Sequence, residues 1–280
     1  MYKTASSLIE KCQRLRERGF TLGEIVKTTE LPKTTIYGYI RNIPLSLKTK
    51  QKVTLATTKR INEFNIKYRK GKCIPGRVVL KPKNWNDDLI FLVAHFMFDG
   101  EINTHSCIYN NRNESLINRV KFSMEKVFNL RPITWLNKHT GVHRISYHYV
   151  ELADYIKRRS QELKTYIKTA SLKEKGIFLK AFFDDEGSVH FEKRLVRGYQ
   201  HNLDILRLVR KLLLDFSIEN KIDEKYNEIV IGRKENIVKF RDEINFSKRI
   251  YINPERKNSI WKKKLEKREI LERVINSYQK

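Results

Sequence analysis

Two acid–glycine pairs, Asp99-Gly100 and Glu186-Gly187, stand 87 residues apart, each at the end of an apolar run. The first run reads LIFLVAHFMFDGEI over residues 89–102, and the second reads GIFLKAFFDDEGSV over residues 176–189. One acid and glycine after an apolar helix usually mark no more than a helix terminus, where glycine is common. The same pair in register twice, inside a longer internal repeat, marks a candidate site. Carboxylates are hard oxygen donors of the kind that Mg²⁺ selects. A cation held there could lower the pKa of an attacking water and stabilise a leaving oxygen. Asp99 and Glu186 are therefore the candidate metal ligands and catalytic carboxylates.

The elements around these pairs repeat as well. Each apolar run reads as a helix, followed by a strand region (103–111 and 189–200) and an amphipathic helix (113–129 and 202–216). Two further strands and a closing helix complete both copies, the helices at 151–158 and 235–243. The order is αββαββα twice. Glycine after the acid is expected to permit a sharp exit from helix to strand. A basic helix is expected from about Pro254 to Tyr278.

Ahead of the repeats, residues 5–43 read as three short helices. The first runs from about Ser6 to Arg18, with Leu8, Ile9, Cys12 and Leu15 on one face and Gly19 ending it. Thr21 and Glu24 form a capping-box signature for the second, which carries Leu22, Ile25 and Val26. A tight connection at Thr29-Glu30-Leu31 leads to Pro32, suited to the first turn of a third helix through Ile36, Ile40 and Ile43. From Pro44 to Asn86 the chain is basic and irregular, with Gly71, Pro75, Gly76 and Pro82, and reads as a short helix followed by a linker.

Lys and Arg number 58 against 32 Asp and Glu, a net charge of +26, and a surplus that large points to a polyanionic partner, nucleic acid above all. No stretch reaches the roughly 18 apolar residues of a membrane span. No hydrophobic signal core follows Met1, so an intracellular protein without a membrane partner is expected. Cys12, Cys73 and Cys107 lack metal-ligand spacing and read as reduced thiols.

In Leu92-Val93-Ala94-His95-Phe96-Met97-Phe98-Asp99-Gly100 and Leu179-Lys180-Ala181-Phe182-Phe183-Asp184-Asp185-Glu186-Gly187, the chain resembles the LAGLIDADG endonucleases, which carry one such nonamer per subdomain. The resemblance covers about residues 86–262. It implies an α+β fold of two pseudo-symmetric αββαββα subdomains, here preceded by a small all-α helix-turn-helix domain. It implies further that the motif helices pack side by side about a pseudo-twofold axis, with the small Ala94 and Ala181 allowing close approach. Asp99 and Glu186 would then meet at the foot of that axis. Carboxylates so close raise each other's pKa, and a divalent cation relieves the repulsion. Mg²⁺ or another divalent cation is the implied cofactor, with the main-chain carbonyls of Phe98 and Asp185 as further ligands. Two departures stand out. Met97 replaces the first Asp of the family pattern, which Asp184 keeps, and Phe98 and Asp185 occupy a position that is often small. His95 reads as a packed, polar-satisfied histidine rather than a ligand.

The resemblance also implies antiparallel sheets laid over consecutive major grooves of double-stranded DNA. Alternate strand residues face one way, and Arg pairs with guanine as Asn does with adenine. On that basis His190, Glu192, Arg194, Arg197 and Tyr199 are candidate reading residues in the second repeat, and Tyr109, Asn111, Arg144, Tyr147 and Tyr149 in the first. Lys262, Lys263 and Lys264 suit phosphates. The segment EIVKTTELPKTTIYGYIRNI resembles the helix-turn-helix of resolvases and small regulators, with Lys33, Thr34, Thr35, Tyr37 and Arg41 on its recognition helix.

The expected layout is a helix-turn-helix domain at 1–45, a basic linker at 46–86, a first repeat at 87–168, a second at 169–253 and a basic C-terminal helix at 254–280. The expected function is that of a monomeric, metal-dependent, sequence-specific double-strand DNA endonuclease. The resemblance adds cleavage across the minor groove with short 3′ overhangs, and mobility of its own gene or a host intron. Two alternatives remain on the same fold: a non-catalytic DNA-binding regulator, and an RNA maturase assisting intron splicing.

Overall fold

In the computed structural model, which describes residues 2–68, 79–255 and 259–278, capping chemistry sets the first helices. Two units are distinguished, Met1–Ile74 and Pro75–Lys280. In the first, α1 (Tyr2–Glu17) ends at Gly19, whose φ of +88° an L side chain would resist. The capping box starts α2 (Leu22–Thr29): the Thr21 N–H donates to Glu24 Oε2 (2.8 Å) and the Glu24 N–H to Thr21 Oγ1 (3.3 Å). Glu30 closes that helix in the left-handed region, and Pro32 leads into α3 (Lys33–Ile40). Cys12, Ile25, Ile36 and Ile40 form the small core between the three helices.

The next helix is longer than expected. α4 (Leu47–Tyr68) runs for 22 residues through what reads from sequence as a basic linker at 46–86. No glycine or proline interrupts that span, so nothing in it breaks a helix. Thr49 Oγ1 donates to the Gly19 carbonyl (2.8 Å) and Lys52 donates to Glu24 (2.5 Å), which ties α4 to the three-helix core. The Lys52 bond is the chief reason the Glu24 carboxyl is held down at about 2. Gly71, Cys73, Pro75 and Gly76 of the expected linker lie outside the described residues.

The second unit is α+β and repeats one element order. Its first copy comprises α5 (Asp87–Phe98), β1 (Gly100–Ile102), β2 (Cys107–Asn111), α6 (Glu114–Phe128), β3 (Ile133–Asn137), β4 (Val142–Tyr147) and α7 (Val150–Tyr166). Its second comprises α8 (Leu172–Glu186), β5 (Gly187–His190), β6 (Leu195–Tyr199), α9 (Leu203–Asp215), β7 (Lys221–Asp223), β8 (Glu228–Ile231) and α10 (Lys234–Glu243). Both sheets are antiparallel and have the same order, β1-β2-β4-β3 and β5-β6-β8-β7. A single apolar core spans both copies. α5 is its centre: Leu89 to Phe96 are all buried, so this helix has no solvent face over that stretch. Each large side chain buried there contributes about 1.5–3 kcal/mol.

The C-terminal segment departs from expectation. The helix expected from Pro254 begins only at Lys267, as α11 (Lys267–Asn276). Before it, Tyr251 and Glu266 form an antiparallel bridge, the Ile252 N–H donates to the Leu265 carbonyl (3.0 Å), and the Lys267 N–H donates to the Ile250 carbonyl (2.8 Å). Those bonds consume backbone groups that a helix would need. Among the described residues, no helix is long and apolar enough to cross a membrane, and Cys12 and Cys107 are buried free thiols.

The glycines that follow the two acids permit the expected sharp exit from helix to strand, through their size rather than their φ. Gly187 has φ −87°, which any residue can adopt. What it lacks is space: an added Cβ would overlap the Phe183 carbonyl, as one at Gly100 would lie 2.6 Å from the Phe96 carbonyl. The first strand of each sheet folds back directly over its helix, and only hydrogen fits between. Gly187→Ala should therefore cost about 1–3 kcal/mol, as overpacking does. Gly176→Ala, inside α8 with its nearest neighbour at an ordinary 3.7 Å, should raise stability by up to about 1 kcal/mol. Urea denaturation of the pair compares them, and equal stabilities would refute the steric account.

Candidate functional site

The starts of α5 and α8 fix where they end. Asn86 caps α5, its Oδ1 accepting the Leu89 N–H (2.9 Å), and Asp87 and Asp88 in the first turn complement the helix dipole. Ser171 and Glu174 form a full capping box on α8. α5 closes at Asp99, whose N–H still donates to the His95 carbonyl (3.1 Å), and α8 closes at Glu186. The two helices pack on one another, with Ala94 and Ala181 buried. On one side of that interface Phe98 meets Phe178 and Phe182, with ring centroids 5.3 and 5.2 Å away. On the other, His95 Nδ1 lies 2.7 Å from Asp185 Oδ2. Both acids thus arrive at neighbouring helix ends.

Their electrostatics follow from that position. Glu186 is pushed up to about 8, first by burial, then by the charges of Asp99 and Asp185. Asp99 is pushed up to about 7, again first by burial and then by Asp185, while a hydrogen bond from Asn111 pulls the other way. Asp99 remains open to solvent on one side, and that solvent offsets part of the upward push. Asp184, fully enclosed, is also raised by burial; its Oδ1 accepts the Ser247 N–H (2.7 Å). The carboxylates sit where α5 and α8 present their last carbonyls, so the helix dipoles disfavour negative charge there too.

Such a place suits a cation. One is already supplied by the protein: the buried Lys267 ammonium donates to the carbonyls of Asp184 (2.8 Å) and Phe183 (3.2 Å). Nothing in the sequence distinguishes this lysine from others in a basic tail. Among the described residues, no group of three or more His, Cys, Asp or Glu side chains is arranged to hold a metal ion. That excludes a closed zinc-type cage within them. Mg²⁺ needs no such group, since it binds through one or two carboxylates and leaves positions for water and substrate phosphate. Asp185 is not a free third carboxylate, because His95 Nδ1 engages one oxygen and the Tyr109 hydroxyl donates to the other (2.7 Å).

Strand register decides which expected DNA contacts are available. Cross-strand partners share a face, and alternate residues change face. In the first sheet Cys107, Tyr109, Ile145 and Tyr147 face the core and are buried. Tyr109 and Tyr147 are therefore corrected from reading residues to core residues. Asn111 lies on the same face at the strand end, half-buried, and donates to Asp99 Oδ2 (3.2 Å). Arg144 lies on the opposite face, with Asn110 and Trp135 as its cross-strand neighbours. Trp135 and Asn110 were missed because only the register reveals their direction. In the second sheet, Val189, Val196, Gly198, Ile229 and Ile231 face inward. His190, Arg197 and Tyr199 point outward, joined by Lys221 and Glu228, and Arg197 pairs with Glu228 (3.3 Å). Arg194 belongs to the β5–β6 turn, its guanidinium over the Tyr278 ring at 4.7 Å. In the N-terminal unit, Lys33, Thr34, Tyr37 and Arg41 are exposed on or just after α3, and Thr35 is half-buried.

Residues 173–245 match the family model of the LAGLIDADG-like domain. No characterised protein matches the chain in sequence. Among solved structures, mesophilic variants of the homing endonuclease I-DmoI are similar at 16% identity over 58% of this chain and 91% of theirs, with a TM-score of 0.46. I-DmoI in complex with DNA and Mn is similar at 16% identity over 57% and 97%, with a TM-score of 0.45. Full-length DUF199/WhiA from Thermotoga maritima is similar at 16% identity over 70% and 62%, with a TM-score of 0.48.

The raised carboxylates make a stability prediction. A carboxyl whose folded pKa lies above its unfolded value near 4 holds its proton more tightly when folded. Stability is then greatest at low pH and declines as pH rises from about 4 towards about 8. Asp99→Asn cannot ionise, so without divalent cations it should melt higher than wild type, by a margin that widens between about pH 5.5 and pH 8. Calorimetry in chelator across that range measures the margin. A gap independent of pH would show that Asp99 is not strained by its charge.

Proposed function

We propose that this chain is a sequence-specific, divalent-metal-dependent endonuclease acting on double-stranded DNA, with both motif copies and a helix-turn-helix on one polypeptide. The observation that carries the reading is the pair Asp99 and Glu186, set at twin helix ends between two equivalent antiparallel sheets, where burial and then Asp99's charge raise Glu186. Asp99 and Glu186, with the main-chain carbonyls of Phe98 and Asp185, would hold the cation. When bound, that cation supplies positive charge at the scissile phosphate and acidifies the attacking water. The chain's own residues do the rest. Arg144, Asn110 and Trp135 on one sheet, and His190, Arg197, Tyr199 and Lys221 on the other, present the surfaces that would lie in successive major grooves. Lys33, Thr34, Tyr37 and Arg41 would read neighbouring duplex from α3.

The layout we propose keeps a helix-turn-helix at 1–45 and the two repeats at 87–168 and 169–253, acting as a monomer. Intron or gene mobility would be the biological setting. Lys267 favours a second reading, a DNA-binding regulator without catalysis: its ammonium sits beside the acids and relieves part of their repulsion without any metal.

One experiment separates the two readings. With Mg²⁺ and a site selected from random DNA, wild type should cleave, whereas Asp99→Asn and Glu186→Gln should bind that DNA about as tightly and cut neither strand. Gel mobility and nicking assays on the same preparations provide both readouts. Undiminished cleavage by either variant removes these carboxylates from the mechanism, and a wild type that binds without cutting supports the regulator.

A second test concerns charge. If the basic surplus neutralises about eight phosphates, the log–log salt slope of binding should be near −7 by counterion release. Replacing Lys33 and Arg41 together by Ala should reduce the magnitude of that slope by about 2, while leaving the rate of cleavage at saturating protein unchanged. A flat salt profile would mean that DNA is not the main partner.

A further inference from the structure

The pseudo-symmetry of the motif helices separates what packing requires from what it does not. At one corner Phe98 packs on Phe182. At the equivalent corner, Asp185 meets His95 at 2.7 Å. The strand residue beneath differs in step: Gly187 pairs with Gly198, against which the Phe182 ring lies, whereas Gly100 pairs with Tyr109, which donates to Asp185. One corner is built from Phe, Phe and Gly, and the other from His, Asp and Tyr. A buried hydrogen-bonded polar pair is seldom more stable than a well-packed apolar one. The same fold accepts the apolar set, so packing alone does not account for the polar set.

The polar corner continues to the candidate catalytic carboxylate. Asn111 Nδ2 lies 3.5 Å from Asp185 Oδ1, 3.4 Å from the Tyr109 hydroxyl and 3.2 Å from Asp99 Oδ2. We propose that His95, Asp185, Tyr109 and Asn111 form one relay of positioning residues that orients the Asp99 carboxylate for its cation; this rests on the metal-dependent reading above. The hydrogen bonds define its sense. His95 Nε2 is buried without a protein partner, so the tautomer that leaves no N–H unmet carries its proton on Nδ1 and donates to Asp185. Tyr109 spends its proton on the other oxygen. Asn111 Oδ1 accepts the Asn113 N–H (2.9 Å), which fixes the amide with Nδ2 towards Asp99. The relay starts on α5, crosses to α8 and returns through β2, so it also registers one helix end against the other.

Full-length protein tests this through Mn²⁺ affinity, read by electron paramagnetic resonance, together with turnover at saturating DNA and melting temperature. Tyr109→Phe keeps every apolar contact and removes one hydroxyl. Asn111→Ala removes the last donor. Each should weaken Mn²⁺ binding about tenfold or more, the usual cost of removing a group that orients a metal ligand, and lower kcat while KM for DNA holds. The triple variant His95→Phe, Tyr109→Gly and Asp185→Phe copies the apolar corner. It should melt close to wild type yet lose Mn²⁺ affinity as the single variants do; if it does not fold, the single variants decide. Folded variants with wild-type Mn²⁺ affinity and kcat would overturn the relay and leave a merely structural lock. A wild type that binds Mn²⁺ without cutting DNA would defeat the nuclease reading alone, and the Mn²⁺ affinities would then decide the relay. A wild type that binds no Mn²⁺ overturns both.

Discussion

Everything in the larger unit depends on how closely α5 and α8 can approach. Their contact surface carries Ala94 and Ala181, and beside these the fourth motif residue of each helix meets the seventh of the other: Phe182 with Phe98, and His95 with Asp185. Because the helices occupy the centre of the core, each sheet must leave its helix at once. The missing Cβ at Gly100 and Gly187 is what allows it. A side chain at either point would push the first strand away from its helix and carry the acid before it out of line. Close packing here is a geometric condition on the site and not only a source of stability.

The same constraint creates the electrostatic problem that the site must solve. Helix ends brought together at their C-termini concentrate unsatisfied carbonyls, and the sequence adds Asp99, Asp184, Asp185 and Glu186 to the same place. Each carboxylate is answered differently. The Ser247 N–H meets Asp184, His95 and Tyr109 hold Asp185, and Lys267 covers the α8 carbonyls. Asp99 and Glu186 are left raised. Asp184 is raised too, by burial, but it is enclosed. Asp99 and Glu186 are the two acids nearest the sheets, and a cation there would relieve them.

What the sequence disclosed and what it hid divide along physical lines. The repeat, the two acids and the capping of α2 were legible, because helical period and capping residues are local signals. The direction of a strand side chain was not, since a one-residue slip reverses it; Tyr109 and Tyr147 were assigned to the wrong face for that reason. The bridge between Tyr251 and Glu266 interrupts a stretch whose composition suits a helix, and tertiary pairing overrides such a preference. Neither Lys267 nor the His95–Asp185 contact could be anticipated. The partners lie more than 80 residues apart, and nothing near either one signals the other.

Asp185 was visible as a departure from the motif and His95 as a packed histidine, and together they become intelligible. In an assembly of identical repeats, symmetry would place the same residues at both corners of the helix interface. Two charged corners would bring a second buried Asp to helix ends already crowded with carboxylates, and mutual repulsion would rise. Two apolar corners would avoid that, but neither would supply a hydrogen-bonded path to a carboxylate. With both copies on one chain, the corners are free to differ: Phe98 and Phe182 serve packing on one side, while His95 and Asp185 serve orientation on the other. The inequality extends to the acids themselves. A shorter Asp stands on the side that Asn111 reaches, and a Glu, one methylene longer, stands across from it. The departures from motif symmetry therefore fall beside an asymmetric pair of carboxylates.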